Sequence, residues 1–356
     1  MKTKTHKCDI LIVGAGPAGS AAALTAVRKG LHVLMVERRA KVGTPVRCAE
    51  YIPASLLGEV SLGRHFIVQS VRGMRTILPG GETKETPAPG FTIRRDHFDQ
   101  ALAHAARDAG AEILLATRAL SKNKNEVLLK GKNGLSLKVD PGVVIGADGP
   151  RSTVGRWIES VNKNLIPAVQ VRVPLVKAMK FTEVYFDKEI CGGYGWLFPK
   201  GKEANVGLGM KQGKRKYEPI THVLKRFVSR LTVAGKIQGE TLGNVAGWIP
   251  AEPVRRVTRQ NVLLVGDAAG QTHPITGAGV FQAVTCGRMA GNWAARAVKA
   301  GNLGLLSEYE KEWRDLFGEA LERAFKRRQL LEQEWDRLEE IIKYCWIAYR
   351  EYYERS

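Results

Sequence analysis

Residues 9–38 read DILIVGAGPAGSAAALTAVRKGLHVLMVER. The apolar run after the first residue suits a parallel strand that is buried on both faces. Gly14, Gly16 and Gly19 then form G-x-G-x-x-G where this strand must turn into a helix. The first glycine permits the tight turn, the second lets backbone approach a pyrophosphate, and the third lets helix pack on strand. Glu37 follows a second apolar run, at the position where an acidic side chain can accept hydrogen bonds from ribose hydroxyls. The stretch therefore predicts a Rossmann-like dinucleotide-binding unit.

The composition is that of a globular protein. The chain has 356 residues, 44% hydrophobic and 25% charged, which is enough for two domains. No apolar run approaches the ~20 residues needed to span a bilayer, and the basic start MKTKTHK precedes a run too short for a signal peptide. The five cysteines show no metal-ligand spacing and fit a reducing compartment. We therefore expect a cytoplasmic protein without a resident metal.

The formal net charge of +20 is unusual and leaves several explanations open. It is compatible with a phosphorylated or otherwise acidic substrate, with an anionic membrane surface, or with solubility and thermophile-like charge enrichment alone. Nucleic acid is disfavoured, because the lysines and arginines are spread along the chain and no nucleic-acid-binding motif accompanies them.

Two further motifs bear on which nucleotide binds. Residues 145–154 read IGADGPRSTV and residues 261–270 read NVLLVGDAAG, each with an aspartate at the end of an apolar strand. Asp148 and Asp267 can each accept a hydrogen bond from a ribityl hydroxyl while nearby backbone N–H groups reach phosphate; an aspartate in this position also often caps a helix. The glycines at 277–279 allow close approach of backbone to a planar ring.

Together the three motifs resemble the FAD-binding pattern of the p-hydroxybenzoate-hydroxylase-type flavoprotein superfamily. Within that superfamily the chain resembles the geranylgeranyl reductase family over nearly its whole length. The segments that carry this resemblance are CGGYGWLFPKG at 191–201, similar to a Y-x-W-x-F-P signature, RCAE at 47–50, similar to a cysteine loop, IRRDHFDQAL at 93–102, GQTHPITGAG at 270–279 and SEYEKEWR at 307–314.

The resemblance implies an α/β fold with a Rossmann-like FAD-binding domain, an interleaved antiparallel β-sheet substrate domain and C-terminal helices. The expected segments are 1–60, 91–160 and 245–300 for the FAD-binding domain, 61–90 and 161–244 for the β-rich domain, and 301–356 for the helices.

Local patterns add detail. Prolines and a glycine predict a break at 87–90, and a hairpin across 132–134 leads into a separate buried strand at 143–145. Short apolar runs in 165–210 predict one antiparallel sheet, followed by a charged turn at 211–216.

The resemblance also implies which residues contact FAD. The motif glycines and the acid would hold its ADP half, the cysteine loop would lie beside it, and the third motif would hold the ribityl chain and ring. The implied cofactor-binding residues are Gly14, Gly16, Pro17, Ala18, Gly19, Glu37, Arg38, Arg47, Cys48, Ala49, Arg95 near phosphate, Ala119 near adenine, Asp148, Gly149, Gly266, Asp267, Pro274, Gly277, Ala278, Gly279 and Val280.

In the geranylgeranyl reductase family, reduced flavin delivers a hydride to an isolated prenyl double bond and a proton completes saturation. NADPH, reduced ferredoxin or a quinol would supply the electrons. Tyr194, Trp196 and Phe198 alternate, so we expect them on one face of a strand, where they wall a slot for an isoprenoid or, alternatively, form ordinary core. Cys48 would tune the flavin or lie near the proton donor, or be an inert buried thiol.

Other functions remain open at this stage. A flavin monooxygenase that hydroxylates an aromatic small molecule or a protein side chain would use the same motifs, as would a structural or redox-sensing flavoprotein. A prenyl reductase predicts a long apolar tunnel with a basic mouth, whereas a monooxygenase predicts a wide basic groove. Glu50 and His273 are candidates for a proton relay or for structural roles. The aromatic C-terminal tail packs on its own domain, on a subunit partner, or peripherally on the inner face of a membrane; the oligomeric state is undetermined.

Overall fold

The computed structural model describes residues 5–132, 134–211, 218–254 and 256–354. Residue 133 of the predicted hairpin and residues 212–216 of the predicted charged turn lie outside this range. The strands are β1 (His6–Val13), β2 (Val33–Val36), β3 (Tyr51–Pro53), β4 (Ile67–Ile77), β5 (Thr83–Ile93), β6 (Glu112–Leu114), β7 (Thr117–Asn123), β8 (Glu126–Gly131), β9 (Ser136–Gly146), β10 (Leu165–Pro174), β11 (Phe181–Tyr185), β12 (Tyr194–Lys200), β13 (Glu203–Gly209), β14 (Gly243–Pro250), β15 (Thr258–Arg259) and β16 (Val262–Leu264). The helices are α1 (Pro17–Arg28), α2 (Leu56–Glu59), α3 (Arg95–Asp108), α4 (Thr153–Trp157), α5 (Ile220–Val233), α6 (Val280–Ala300), α7 (Leu306–Gln333) and α8 (Leu338–Cys345).

The first sheet has the strand order β15-β16-β9-β1-β2-β6, and the β7–β8 hairpin extends from β9. Strand β1 is parallel to β2 and β9, β9 to β16, and β2 to β6. The predicted Rossmann-like unit is thus β1-α1-β2. Helix α6 packs closely on α1 because α6 carries small residues at the contact: a Cβ on Gly287 would lie 2.4 Å from the carbonyl oxygen of Ala18.

The second sheet has the order β14-β10-β13-β12-β11-β4-β5-β3. Neighbours along the chain pair antiparallel, as the sequence predicts, but β4 and β11 are parallel. The sheet is therefore mixed. The reason is topological: after β4 the chain passes through β5, then the first layer, then β10 before β11 begins, so no hairpin constrains the relative direction of β4 and β11.

Two predicted breaks are wrong. Strand β5 runs through 87–90. Its other neighbour, β3, pairs with it only at 90–92, so the prolines at 87 and 89 need no backbone N–H for a hydrogen bond on that side. The predicted separate strand at 143–145 is the second half of β9, which pairs with β8 at its start and with β1 along its remainder.

Three segments expected in the FAD-binding portion are strands of the second sheet, namely residues 51–53, 91–93 and 245–250. The chain therefore crosses between the two layers more often than the predicted segment boundaries imply. The division into domains otherwise stays a prediction.

The C-terminal helices join the two layers. Tyr309 and Trp313 of α7 are buried in the core around the first sheet, and the Tyr309 hydroxyl donates to the carbonyl of Leu264 at 3.0 Å. Helix α8 and Trp346 instead pack in a second cluster with Phe186, the residue that follows β11. Within the described residues, none of the helices has the length and apolarity needed to cross a membrane.

Candidate functional site

The glycine motif at the carboxyl end of β1 is tightly packed at two of its three glycines. Gly14 has φ +106°, and a Cβ there would lie 2.3 Å from the carbonyl oxygen of Ala147; a Cβ on Gly19 would lie 1.9 Å from that of Gly14. Gly16 differs, with φ −74° and no atom within 4 Å of its Cβ position. It caps α1, whose next residue is Pro17, so the first N–H groups of the helix are directed at this open space.

Glu37, at the carboxyl end of β2, stabilises the glycine turn that follows β1. Its carboxylate accepts hydrogen bonds from the backbone N–H of Ala15 and of Arg39, each at 3.0 Å. Beside it lies a cleft of about 380 Å³ whose lining includes Arg38, Arg118 and two lysines of the β8 end. Ala119 was expected near adenine; its side chain is buried in the core around the first sheet, and the cleft is lined by its neighbours Arg118 and Leu120.

Asp148 serves as a helix cap. Its carboxylate accepts from the hydroxyl of Ser152 and from the backbone N–H of Thr153 at 2.6 Å, at the start of α4. Burial raises the pKa of Asp148, and these hydrogen bonds oppose the shift. Gly149, with φ +84° and open space at its Cβ position, exposes backbone next to the aspartate.

The third motif contacts the first. Gly266 has φ +65°, and a Cβ there would lie 3.0 Å from the Cβ of Ala18. Asp267 accepts from the hydroxyl of Thr272 at 2.7 Å. Burial raises the pKa of Asp267, while Thr272 and the positive charge of Arg95 oppose the shift. The three motifs, far apart in sequence, therefore converge on one region at the carboxyl ends of the parallel strands.

Arg95, the first residue of α3, links the cysteine loop to this region. Its Nε donates to Asp99 at 2.7 Å, and its charge also acts on Cys48 and Asp267. Burial raises the pKa of the Cys48 thiol, with Arg95 opposing, and the sulfur accepts from the backbone N–H of Glu50 at 3.2 Å. Arg47 is exposed.

Glu50 is buried and occupies the left-handed region at φ +68°, which costs a non-glycine residue free energy. Its carboxylate accepts from the backbone N–H of Arg95 at 2.9 Å, from the ammonium of Lys200 at 2.6 Å and from the amide of Asn205 at 2.9 Å. Ala49 also accepts from Asn205, at 3.1 Å. These contacts give Glu50 a structural role: it anchors the cysteine loop to the second sheet.

The aromatic signature lies on one face of β12, as its alternation predicts. The Trp196 indole donates to the side-chain oxygen of Gln170 at 2.9 Å, and the Gln170 amide donates to the carbonyl of Cys48 at 3.2 Å. The Tyr194 hydroxyl donates to the carbonyl of Thr276. The ring of Phe198 is 6.2 Å from that of Tyr51, which follows the cysteine loop. This strand therefore supports both loops on which the flavin ring was expected.

A small cavity of about 30 Å³ lies between this strand and the loop at 273–279, lined by Tyr194, Trp196, Ile249, Ile275 and Arg328 among others. This cavity is too small to be the long apolar tunnel expected of a prenyl reductase. Aromatic side chains pack beside it, with the Trp346 ring 5.3 Å from that of Tyr194.

The C-terminal segment holds the same loop. Buried Arg328 of α7 donates to the carbonyls of Pro274 at 3.0 Å and Gly192 at 2.8 Å. His273 accepts at Nδ1 from the backbone N–H of Thr276, so its Nε2 carries the proton and donates to the Tyr352 hydroxyl at 3.2 Å. Burial lowers the pKa of His273 to about 4.

Sequence reasoning missed four of these residues. Gln170 and Asn205 could have been found, because each is an uncharged polar residue between two apolar neighbours on its strand. Lys200 and Arg328 could not, because both lie in locally charged sequence with nothing to mark them as buried.

A family model described as FAD binding domain matches residues 7–324. The chain is also 38% identical over 339 residues to digeranylgeranylglycerophospholipid reductase of Methanothrix thermoacetophila, covering 89% of this chain and 85% of the relative. The chain belongs to the geranylgeranyl reductase family. The predicted superfamily, the α/β fold and FAD as cofactor are thereby confirmed, and this flavoprotein is an FAD-dependent oxidoreductase.

Further similarities agree. The reductase of the same name from Methanosarcina mazei is 36% identical over 343 residues, covering 88% of this flavoprotein and 82% of that relative. A geranylgeranyl bacteriochlorophyll reductase-like protein of Thermoplasma acidophilum has a TM-score of 0.83 at 30% identity, covering 95% of this chain and 92% of that one. The brominase Bmp2, with a TM-score of 0.72 at 16% identity, shares the fold.

The residues present fit FAD. The open space at Gly16, the free N–H groups of α1 and the acid at the tip of β2 suit an adenosine pyrophosphate. A Cβ on Gly279 would lie 3.5 Å from a carboxylate oxygen of Asp267, so the 277–279 loop adjoins the aspartate, as a site for a ribityl chain and ring requires.

Proposed function

We propose that this flavoprotein reduces isolated prenyl double bonds, in the geranylgeranyl groups of a lipid or isoprenoid precursor. One observation carries the proposal: the aromatic face of β12 touches the 273–279 loop and packs against a large apolar cluster to which that loop contributes Ile275. That cluster gathers Met74, Phe186, Ile275, Trp346 and their neighbours. Apolar surface contiguous with a flavin site suits a hydrocarbon substrate better than a polar aromatic one.

FAD would be held by the glycine motif, Glu37, the cysteine loop, Arg95 and the third motif. Arg95, held at the start of α3 by its hydrogen bond to Asp99, would lie near the pyrophosphate. When bound, FAD supplies the hydride for reduction of a carbon–carbon double bond.

Cys48 would hold the proton that completes saturation. Burial raises the pKa of its thiol, so Sγ stays protonated at neutral pH. Its position is set from the second sheet, because Gln170 holds the Cys48 carbonyl and Trp196 holds Gln170. Tyr194, Trp196 and Phe198 would wall the reacting end of the prenyl chain and exclude water.

The prenyl chain would lie between β12 and the C-terminal segment. A cavity of about 30 Å³ is too small for a C20 chain, so Trp346 and its neighbours must move aside on binding. Because these side chains are themselves apolar and packed in one cluster, a lipid chain that takes their place would keep the remaining apolar surface of the cluster shielded from water.

Peripheral contact with an anionic membrane belongs to the same proposal, since the net charge of +20 favours anionic headgroups and the substrate is a lipid. Co-sedimentation with vesicles tests it. Binding to phosphatidylglycerol vesicles that is lost at high salt, and is missing with phosphatidylcholine, supports the contact; equal recovery in the supernatant with both lipids contradicts it.

The main test uses the FAD-loaded protein reduced anaerobically with dithionite. It is mixed with a digeranylgeranyl glycerolipid, with its fully saturated counterpart as the matched control, or with air. Return of oxidised-flavin absorbance with the unsaturated lipid alone, and a product heavier by two hydrogen atoms per reduced bond, supports the proposal. A flavin that stays reduced with both lipids and is reoxidised only in air contradicts the proposal and favours the monooxygenase alternative.

A further inference from the structure

The edge of the first sheet opposite the cofactor motifs brings two histidines and a glutamate together. His6 begins β1, His32 immediately precedes β2, and Glu112 begins β6. These strands are parallel neighbours in the order β1-β2-β6, so their starts lie on one edge. Because β1 has eight residues, this edge is roughly 26 Å from the glycine motif at the rise of an extended strand.

The three side chains approach each other closely. His6 Nε2 is 3.6 Å from Glu112 Oε2 and His32 Nε2 is 4.0 Å from the same oxygen. All three potential ligand atoms lie within 4.8 Å of one another. Ligands at about 2.0–2.2 Å around a tetrahedral ion are about 3.3–3.6 Å apart, so small side-chain rotations would bring this set to coordination geometry.

A second observation concerns His6 itself. Its Nε2 atom is buried and, within the described residues, has no hydrogen-bond partner. A buried ring nitrogen without a partner is costly, and such groups are rare unless something else satisfies them. The nitrogen faces the Glu112 carboxylate at a distance longer than a hydrogen bond. A cation between them would satisfy both atoms.

The local charge favours a cation, in contrast to the net charge of +20 of the chain. Asp9 lies on β1 three residues after His6, and Asp140 of β9 is opposite Lys7 in the register of β1 and β9, so two further carboxylates lie at this end of the sheet. Asp9 also accepts a hydrogen bond from the backbone N–H of His32 at 2.8 Å, which fixes the backbone that carries this ring.

We propose that His6, His32 and Glu112 bind one divalent transition-metal ion of the zinc class, with water completing the coordination, and that the ion clamps the starts of β1, β2 and β6. Two imidazoles and one carboxylate suit zinc and its neighbours, whereas magnesium prefers oxygen ligands. The distance from the glycine motif makes this a structural site, separate from the flavin chemistry. The sequence predicted no metal, because the spacing 6, 32 and 112 matches no local signature.

The test uses untagged, FAD-loaded protein that has been treated with EDTA and dialysed. Equilibrium dialysis against ZnCl₂ should give one bound zinc per chain in wild type. Because ligand binding to the native state raises its stability, saturating zinc should raise the unfolding temperature by ~2–4 °C, and MgCl₂ should not. His32→Ala and Glu112→Gln should each weaken zinc binding at least ~10-fold and remove the thermal shift.

His104→Ala is the matched control, since His104 is an exposed histidine on α3 outside the cluster. It should bind zinc like wild type. Equal zinc binding and equal thermal shift in wild type and His32→Ala would overturn the proposal and place the ion elsewhere, for example on the half-buried thiols of Cys48 and Cys191. So would a wild-type protein that binds no zinc. The visible flavin spectrum of His32→Ala should match wild type, which shows that the variant is folded.

Discussion

The carboxylate of Glu50 lies 2.6 Å from the ammonium nitrogen of Lys200, although 150 residues separate them in sequence. Glu50 also accepts from Arg95 and Asn205, so one buried carboxylate joins the cysteine loop, the start of α3 and the second sheet. Because the cysteine loop and the aromatic strand both border the expected flavin position, this pair sets how the two layers face each other.

Replacing Glu50 by glutamine should strongly destabilise the protein. The Lys200 ammonium, on a side chain only 13% exposed, would be left without its counter-charge; for a buried pair such a loss typically costs about 3–5 kcal/mol. Urea unfolding of the FAD-loaded protein measures the loss. The double variant Glu50→Gln with Lys200→Met should lose less than the sum of the two single variants, because no unpaired charge remains.

The control is the exposed Arg107–Asp108 pair, whose side chains are 57% and 66% exposed. Asp108→Asn should change stability by less than about 1 kcal/mol, since exposed pairs contribute little. A Glu50→Gln protein as stable as Asp108→Asn would show that Glu50 anchors nothing.

Trp196→Phe should keep the ring but loosen the cysteine loop. The variant leaves the Gln170 side-chain oxygen buried without its donor, at a cost of about 1–3 kcal/mol, and Gln170 in turn holds Cys48. We expect lower stability and slower reoxidation of reduced flavin by prenyl lipid. Trp157→Phe is the control, because the half-buried Trp157 packs against the first core away from the loop. If the two variants behave alike, the indole hydrogen bond is irrelevant.

Gly16→Ala should lower the affinity for FAD without lowering the stability of the fold. The protein itself leaves open space at the Gly16 Cβ position and an ordinary φ, so folding should be unaffected. The added methyl group would instead keep backbone from a pyrophosphate, and we expect FAD affinity to fall by on the order of tenfold or more, about 1.4 kcal/mol.

Fluorescence titration of apoprotein with FAD measures this affinity. Gly58→Ala, which also has open surroundings but lies in α2, should bind FAD like wild type. Undiminished affinity in Gly16→Ala would mean that the pyrophosphate lies elsewhere.

The stability of the chain should fall on acidification because of His273. Burial lowers its native pKa to about 4, whereas an unfolded histidine titrates at about 6.5. Between these values the unfolded state binds the extra proton, so the contribution is complete above pH ~6.5 and is lost as the pH falls towards ~4. Urea midpoints from pH 4 to 7 should therefore fall more steeply in wild type than in His273→Gln. The exposed-histidine variant His104→Gln should follow wild type; parallel curves for wild type and His273→Gln would contradict the assignment.

The features that the sequence predicted well depend on residues that are adjacent or nearly adjacent in the chain. The strand, glycine turn, helix and acid of 9–38 follow from local sterics and from burial of one short apolar run, and the alternation of Tyr194, Trp196 and Phe198 places them on one face whatever surrounds them. These patterns, with the resemblance they support, were enough for the fold class and for FAD.

Only the tertiary structure decided which distant residues meet. The left-handed backbone of Glu50 is held by partners at 95, 200 and 205, the strand β4 pairs in parallel with β11, and the C-terminal tail closes over the 273–279 loop. His6, His32 and Glu112 likewise share an edge because of strand order. Each of these contacts depends on the register and crossing of segments far apart in the chain, and such long-range geometry leaves no periodic trace in the residues on either side.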